Sequence, residues 1–149
     1  MKPAALDSHT GYWLRALSNH VSASFARKVE AQGVTVAEWV VLRALSDEPA
    51  TRPARLAERL ALTPGAVSKL ADRLEAKKLV ARSPLPDDRR AHTLALTDKG
   101  AALVPELASL ADANEAEWFG ALDADDRTAL DRILRLLADQ HHLRAAPLD

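Results

Sequence analysis

The 149-residue chain carries 20 Lys/Arg against 21 Asp/Glu, is 48% hydrophobic and contains no cysteine; that is one domain's worth, long enough for a real core. Without thiols there are no disulfides, thiolate metal sites or cysteine redox sensors. No apolar run approaches the roughly eighteen residues of a membrane span, and residues 1–10 lack the apolar stretch of a signal peptide, so the expectation is a cytoplasmic protein that engages no membrane.

Residues 1–7 read as a loose arm. From about Ser8 to Gln32, Tyr12, Trp13, Ala16, Leu17, Val21, Phe25 and Val29 recur near helical spacing, and Gly33 supplies the stop. These positions make two apolar stripes, more than one core contact needs. Thr35 and Glu38 spell a T-x-x-E capping box that opens a second helix carrying Trp39, Val40, Leu42 and Leu45, which ends near Asp47, before Pro49. Residues 49–52 form a connector.

Residues 53–60 read as a short helix with Leu56, Ala57 and Leu60 on one side. Ala61 and Leu62 make a brief turn, after which Thr63 as N-cap and Pro64 at the first helical position start a helix running to about Lys77. Ala66, Val67, Leu70, Ala71 and Leu74 are spaced to bury one face, turning Gly65, Ser68, Lys69, Asp72 and Arg73 outward. Two such helices form a helix-turn-helix. Residues 79–83 and the alternating residues 91–96 then read as two strands, joined by a loop containing Pro84, Pro86, Asp87 and Asp88, too long for a two-residue turn and carrying Arg89 and Arg90 at its tip. A helix-turn-helix followed by a basic hairpin is a winged helix, a shape that puts a helix into the major groove of DNA and arginines at the neighbouring minor groove or phosphates. Charge is distributed accordingly. Residues 52–90 hold ten Lys/Arg against five acids, a local balance of +5, whereas the remainder holds ten against sixteen. That asymmetry is the footprint of a phosphate-binding lobe on an acidic body.

After the wing, Thr97 and Asp98 cap a helix carrying Leu103, Leu107, Leu110, Trp118 and Phe119, with a bend expected where Pro105 deletes the backbone bond to Ala101. Gly120 and Asp123 mark a break, residues 125–140 form a last helix with Leu130, Ile133, Leu134 and Leu137, and the tail from His141 should fray. The terminal helices are amphipathic beyond what the central winged helix can cover. Pairing with a second copy would bury that surface. The fold expected is therefore mainly α with a small β-hairpin wing: a winged helix-turn-helix (35–97) inserted between N- and C-terminal dimerisation helices (8–33 and 98–141) in one domain spanning 1–149.

The segment L-A-E-R-L-A-L-T-P-G-A-V-S-K-L-A-D-R-L-E-A-K-K-L-V-A-R, followed by D-R-R-A-H-T-L-A-L-T-D-K-G, resembles the MarR family of bacterial winged-helix transcriptional regulators. The wing fits the family pattern D-x-R, five residues, then L-T, through Asp88, Arg90, Leu96 and Thr97. One departure is Lys78, where glycine is usual; lysine is less comfortable there by roughly 1 kcal/mol if the position is left-handed. The resemblance implies an obligate homodimer whose first and last two helices interdigitate. Such a twofold dimer offers recognition helices to major-groove faces roughly 34 Å apart, hence to a pseudo-palindromic operator in double-stranded DNA. The expected role is a sequence-specific regulator, a repressor released by a small effector.

Early positions of a recognition helix sit deepest in the groove, which selects Thr63, Gly65, Ser68 and Lys69. Gly65 allows close backbone approach, Ser68 can donate to phosphate or base, and Lys69 can reach guanine O6 or N7. Arg73, one turn on, and Arg55, at the start of the preceding helix, are phosphate candidates. By the family pattern Arg90 enters the minor groove, with Arg89 beside it on the DNA backbone and Asp88 orienting the pair. The resemblance further implies a cavity between the dimerisation helices and the DNA-binding lobe, often for aromatic carboxylates or other phenolics. Tyr12, Trp13, Trp39 and Arg43 are candidates to line it, Arg43 facing a carboxylate; the competing reading of such aromatics is plain core.

No cofactor is expected, and no enzyme motif stands out: there is no H-E-x-x-H, Gly-rich phosphate loop or G-x-S-x-G elbow. Two alternatives remain. One is a metal-responsive regulator in which His9 and His20, eleven apart on the first helix, meet late carboxylates; the other is a winged helix that serves only protein–protein contacts.

Overall fold

A single 3-10 turn at Leu6–Ser8 leads into α1 (Thr10–Glu30), followed by α2 (Val36–Asp47), α3 (Pro53–Leu60) and α4 (Pro64–Ala76). The hairpin strands β1 (Val80–Leu85) and β2 (Asp88–Leu96) come next, then α5 (Asp98–Phe119) and α6 (Ala124–Gln140). This is a computed structural model, and it describes residues 1–143 apart from the Arg89 side chain. The tail beyond Leu143, expected to fray, therefore lies outside the described residues.

Local chemistry explains where the helices begin. The side chains of Thr35, Thr63, Thr97 and Asp123 each accept from the backbone N–H three residues on, at 3.1, 3.1, 3.1 and 2.8 Å, satisfying one donor the helix itself leaves orphaned. The capping box at Thr35 is only half made. Glu38 does not turn back to the Thr35 N–H; its carboxylate is 2% exposed and reaches Lys77 instead, at 2.6 Å, because a buried charge gains more from a cation than from a neutral amide.

Helix ends are as regular. Gly33, Ala61, Lys78 and His142 all adopt positive φ, at 84°, 53°, 60° and 53°. After each, the next N–H reaches back five residues: Val34 to Val29, Leu62 to Ala57, Leu79 to Leu74 and Leu143 to Ala138. These are Schellman closures, and three of the four use a residue with a Cβ. The end of α4 is thereby fixed, with Lys77 as cap and Lys78 in the left-handed position.

The wing departs from its expected form. Its strands reach Leu85 and Asp88, so the turn between them is only Pro86 and Asp87. The extra length lies in β2: Pro84 pairs with His92 but Leu85 pairs with Asp88, leaving residues 89–91 opposite nothing. Pro84 has no N–H with which to extend the ladder, and a bulge absorbs the mismatch. Arg89 and Arg90 thus stand in the bulge, beyond the tip. The supposed connector also joins the sheet, as Thr51 exchanges both backbone hydrogen bonds with Leu94, at 3.0 and 2.8 Å.

One apolar core unites the lobe: Val29 of α1, Leu42 and Leu45 of α2, Leu56 of α3, Val67 and Leu74 of α4, Leu94 of β2 and Leu107 of α5. Farther from the wing, α1 and α5 are joined by a polar node. Lys28 Nζ donates to Ser24 Oγ, Asn114 Oδ1 and Glu117 Oε2 at 2.8, 3.1 and 2.6 Å, and Ser24 and Asn114 are buried. α5 runs through Pro105 as one helix. α6 buries none of its residues, and its Ile133, Leu134, Leu136 and Leu137 are exposed, as are Tyr12, Trp13, Leu14 and Leu17 of α1.

Candidate nucleic-acid interface

α4 is amphipathic in the sense its sequence predicts. Val67, Leu70, Ala71 and Leu74 are buried, and on the other side Gly65, Ser68, Lys69, Asp72 and Arg73 are exposed, with Thr63 exposed at the cap. A Cβ at Gly65 would meet nothing within 4 Å, so no packing inside the chain demands a glycine there.

Ten basic residues lie between Arg52 and Arg90, and folding sorts them. Arg55 approaches Glu48 at 3.4 Å, Arg59 bridges Asp47 and Glu48 at 3.6 Å each, and Lys77 holds Glu38. Arg82 of β1 clasps two acids of α4, Asp72 at 2.7 Å and Glu75 at 3.2 Å. The Asp72 hydrogen bond foremost, ahead of the two carboxylate charges, lifts the Arg82 guanidinium above its ordinary range against the opposing effect of burial. This clamp does two things. It joins the wing to α4, and it offsets two carboxylate charges on the helix that carries Lys69 and Arg73. Among the described residues Arg52, Lys69, Arg73, Lys78 and Arg90 form no ion pair. Arg55 is thus partly committed within the chain, while Lys69, Arg73 and Arg90 are uncommitted.

In the wing, Asp88 Oδ1 accepts from the Arg90 N–H at 2.9 Å. The aspartate orients its arginine through the backbone, leaving the exposed Arg90 guanidinium to face outward partners. The Arg89 side chain lies outside the described residues.

The four residues assigned to an effector pocket are not gathered in one chain. Trp39 and Arg43 line a cavity of about 210 Å³ with Asp47 and Arg59, small for a ligand site. Arg43 is already satisfied there by Asp47, at 2.5 Å. Tyr12 and Trp13 line no part of that cavity; they pack edge to face with centroids 5.4 Å apart, and the Trp13 indole N–H donates to Asp7 O. His9 sits against the Ala5 carbonyl and His20 stacks on Trp118. Among the described residues no three His, Asp or Glu side chains converge as a metal site, and no helix is long and apolar enough to cross a membrane.

Sequence reasoning missed Arg82, Lys77 and Gly100, where a Cβ would stand 2.1 Å from the Leu79 carbonyl oxygen. The spacing of Asp72 and Glu75, both reachable from one point beside the helix, was the available signal for Arg82. For the other two, whose partners are remote in sequence, there was none.

The sequence model of the MarR family matches residues 32–91. HTH-type transcriptional repressor NicR of Pseudomonas putida is 30% identical over 137 residues, 92% of this chain and 87% of NicR. The repressor MdtR of Bacillus subtilis is 40% identical over 87 residues, 58% of this chain, and the match spans only 56% of MdtR. Among solved structures, Bordetella bronchiseptica BpsR, described with regulation of its DNA binding by 6-hydroxynicotinic acid, superposes with a TM-score of 0.77 at 32% identity, over 93% of this chain and 99% of BpsR. A mutant MarR from E. coli complexed with operator DNA gives a TM-score of 0.75 at 25% identity, over 85% and 91% of the two chains. Because the likeness to NicR and BpsR takes in the terminal helices as well as the DNA-reading lobe, this protein belongs to the MarR family of winged-helix, DNA-binding transcriptional regulators and is not an enzyme.

Proposed function

We propose that this protein is a cytoplasmic repressor that grips a pseudo-palindromic operator as a homodimer and releases it when a small aromatic acid binds. The observation that carries the reading is the sorting of charge: among the described residues, the cations that no carboxylate claims include Lys69 and Arg73 on the open face of α4 and Arg90 in the wing. In the proposed complex the N-terminal turns of α4 enter the major groove, with Thr63, Gly65, Ser68 and Lys69 nearest the bases and Arg73 on phosphate. Arg90 enters the minor groove, Asp88 presents it, and Arg89 and Arg55 lie along the DNA backbone.

Residues 8–33 and 98–141 are the proposed dimerisation part and residues 35–97 the DNA-binding part. Support comes from the exposed apolar residues of α1 and α6, a surface of the kind that association buries. NicR's description as a repressor and the operator complex of E. coli MarR support the DNA half of the proposal. BpsR's regulation by 6-hydroxynicotinic acid supports an aromatic acid as effector. For that ligand Tyr12, Trp13, Trp39 and Arg43 are the proposed lining. Arg43 would exchange Asp47 for the ligand carboxylate, and the two aromatic groups would be brought together only in the dimer.

The test is selection of bound fragments from genomic DNA by the purified protein, repeated with a panel of aromatic acids, alongside sedimentation of the free protein. A recurring inverted repeat bound by a dimer and lost with one acid is expected. A stable monomer, or DNA retention without sequence preference, overturns the reading.

A further inference from the structure

The C-terminal end of α4 is held in an unusual way. Three successive backbone carbonyls there each receive a donor from the start of α5: Lys77 O from Lys99 Nζ at 3.2 Å, Lys78 O from Thr97 Oγ1 at 2.7 Å, and Leu79 O from the Thr97 N–H at 3.1 Å. On the opposite side the Lys77 ammonium spans 39 and 44 residues of sequence, donating to Glu38 Oε2 at 2.6 Å and to Gly33 O at 2.8 Å. Gly33 closes α1 and Glu38 lies in the first turn of α2. The end of the recognition helix is therefore fastened at one point to the end of α1, the first turn of α2 and the start of α5.

Apolar packing does not secure this joint from every side. A cavity of about 440 Å³ opens beside it, lined by Gly33, Val34, Lys77, Lys99 and Leu103 among others. Polar fastenings must hold what packing leaves open. Glu38 itself is 2% exposed and Lys77 is its one cationic partner among the described residues, so the pair has a strong preference for a single geometry: moving α4 away strands a buried carboxylate.

We propose that Lys77 is a positioning residue for operator recognition: by tying the end of α4 to Glu38 and Gly33 it sets the angle at which the recognition helix projects from α1 and α2. The inference rests on α4 being the DNA-reading helix. A dimer reads two half-sites at fixed separation, so a loosened joint costs selectivity for the operator more than attraction to phosphate, because Lys77 lies at the far end of α4 from the residues assigned to the bases.

The experiment compares wild type with Lys77→Met, Lys77→Arg and the double variant Glu38→Gln/Lys77→Met. The double variant removes both charges, so no buried carboxylate is left alone to unfold the chain. Binding is titrated on the operator obtained by selection and on random duplex, across salt concentrations and well below each variant's melting temperature. The expected result is a tenfold or greater fall in the operator-to-random affinity ratio for Lys77→Met and for the double variant, recovery toward wild type with Lys77→Arg, and an unaltered salt slope. Operator affinity equal to wild type in the folded double variant overturns the proposal. So does an equal loss on both duplexes with a shallower salt slope, since Lys77 would then be a phosphate contact. Should wild type itself fail to prefer any duplex, it is the DNA-reading assignment of α4 that falls.

Discussion

Adding one methyl group at Gly65 should raise stability and lower DNA affinity together. Gly65 is the second residue of α4, its backbone has no left-handed requirement, and a Cβ built on it meets nothing within 4 Å. In the free protein, alanine therefore adds no clash and restricts the unfolded chain, a gain of about 0.4–1 kcal/mol. Against DNA the same methyl occupies space the duplex is proposed to fill. Forcing an extra carbon into a packed contact costs about 1–3 kcal/mol. Even the low end counts twice in a twofold dimer, giving about 2 kcal/mol, or roughly 30-fold in operator affinity. Thermal melts and fluorescence anisotropy titrations on one preparation of Gly65→Ala, at a single fixed salt concentration, measure both effects. A stabilised variant with undiminished operator affinity would refute close approach of DNA at the start of α4. A destabilised one would refute the placement of Gly65 in open space.

Gly100→Ala is the contrasting case: its Cβ would stand 2.1 Å from the Leu79 carbonyl oxygen, which also accepts from the Thr97 N–H. Overpacking plus the weakened hydrogen bond predicts a loss of about 2–4 kcal/mol, read from urea unfolding, and a shift below 1 kcal/mol would show that α5 slides freely there. Lys78→Gly relieves a left-handed lysine at φ 60° and is expected to add about 0.5–1 kcal/mol, seen as a melting point roughly 2 °C higher; an unchanged or lower value removes the strain argument. Arg90→Ala and Lys69→Ala change exposed side chains and should leave melting within about 0.5 kcal/mol of wild type. Each should weaken operator binding at least about tenfold, Lys69→Ala also relaxing sequence preference and Arg90→Ala flattening the salt slope. Gel-shift titrations at wild-type affinity for both would dismiss the site assignment.

Much of this architecture was written in short stretches of sequence. Pro53 and Leu60 bound α3, Thr63 and Pro64 start α4, and the alternation of Val67, Leu70, Ala71 and Leu74 states which face is buried. Caps, turn residues and helical periodicity act over three or four residues, so their consequences need no knowledge of distant chain. The same locality made the wing motif readable through Asp88 and Arg90.

Only the tertiary structure decided which charges remain available. The sequence contains eleven basic residues in the DNA-reading lobe and cannot say that Arg82 belongs to Asp72 and Glu75, that Arg43 is already taken by Asp47, or that Glu38 abandons its own helix cap for Lys77. It also could not show that Pro84 would shorten the hairpin turn to two residues and move the arginines into a bulge. Ion pairs and register depend on which elements come within a few ångströms, and that is settled by burial of the shared core formed from residues as far apart as Val29 and Leu107. Residue types and local spacing determined the helices and the wing; packing of the whole chain determined which side chains are left over to meet DNA.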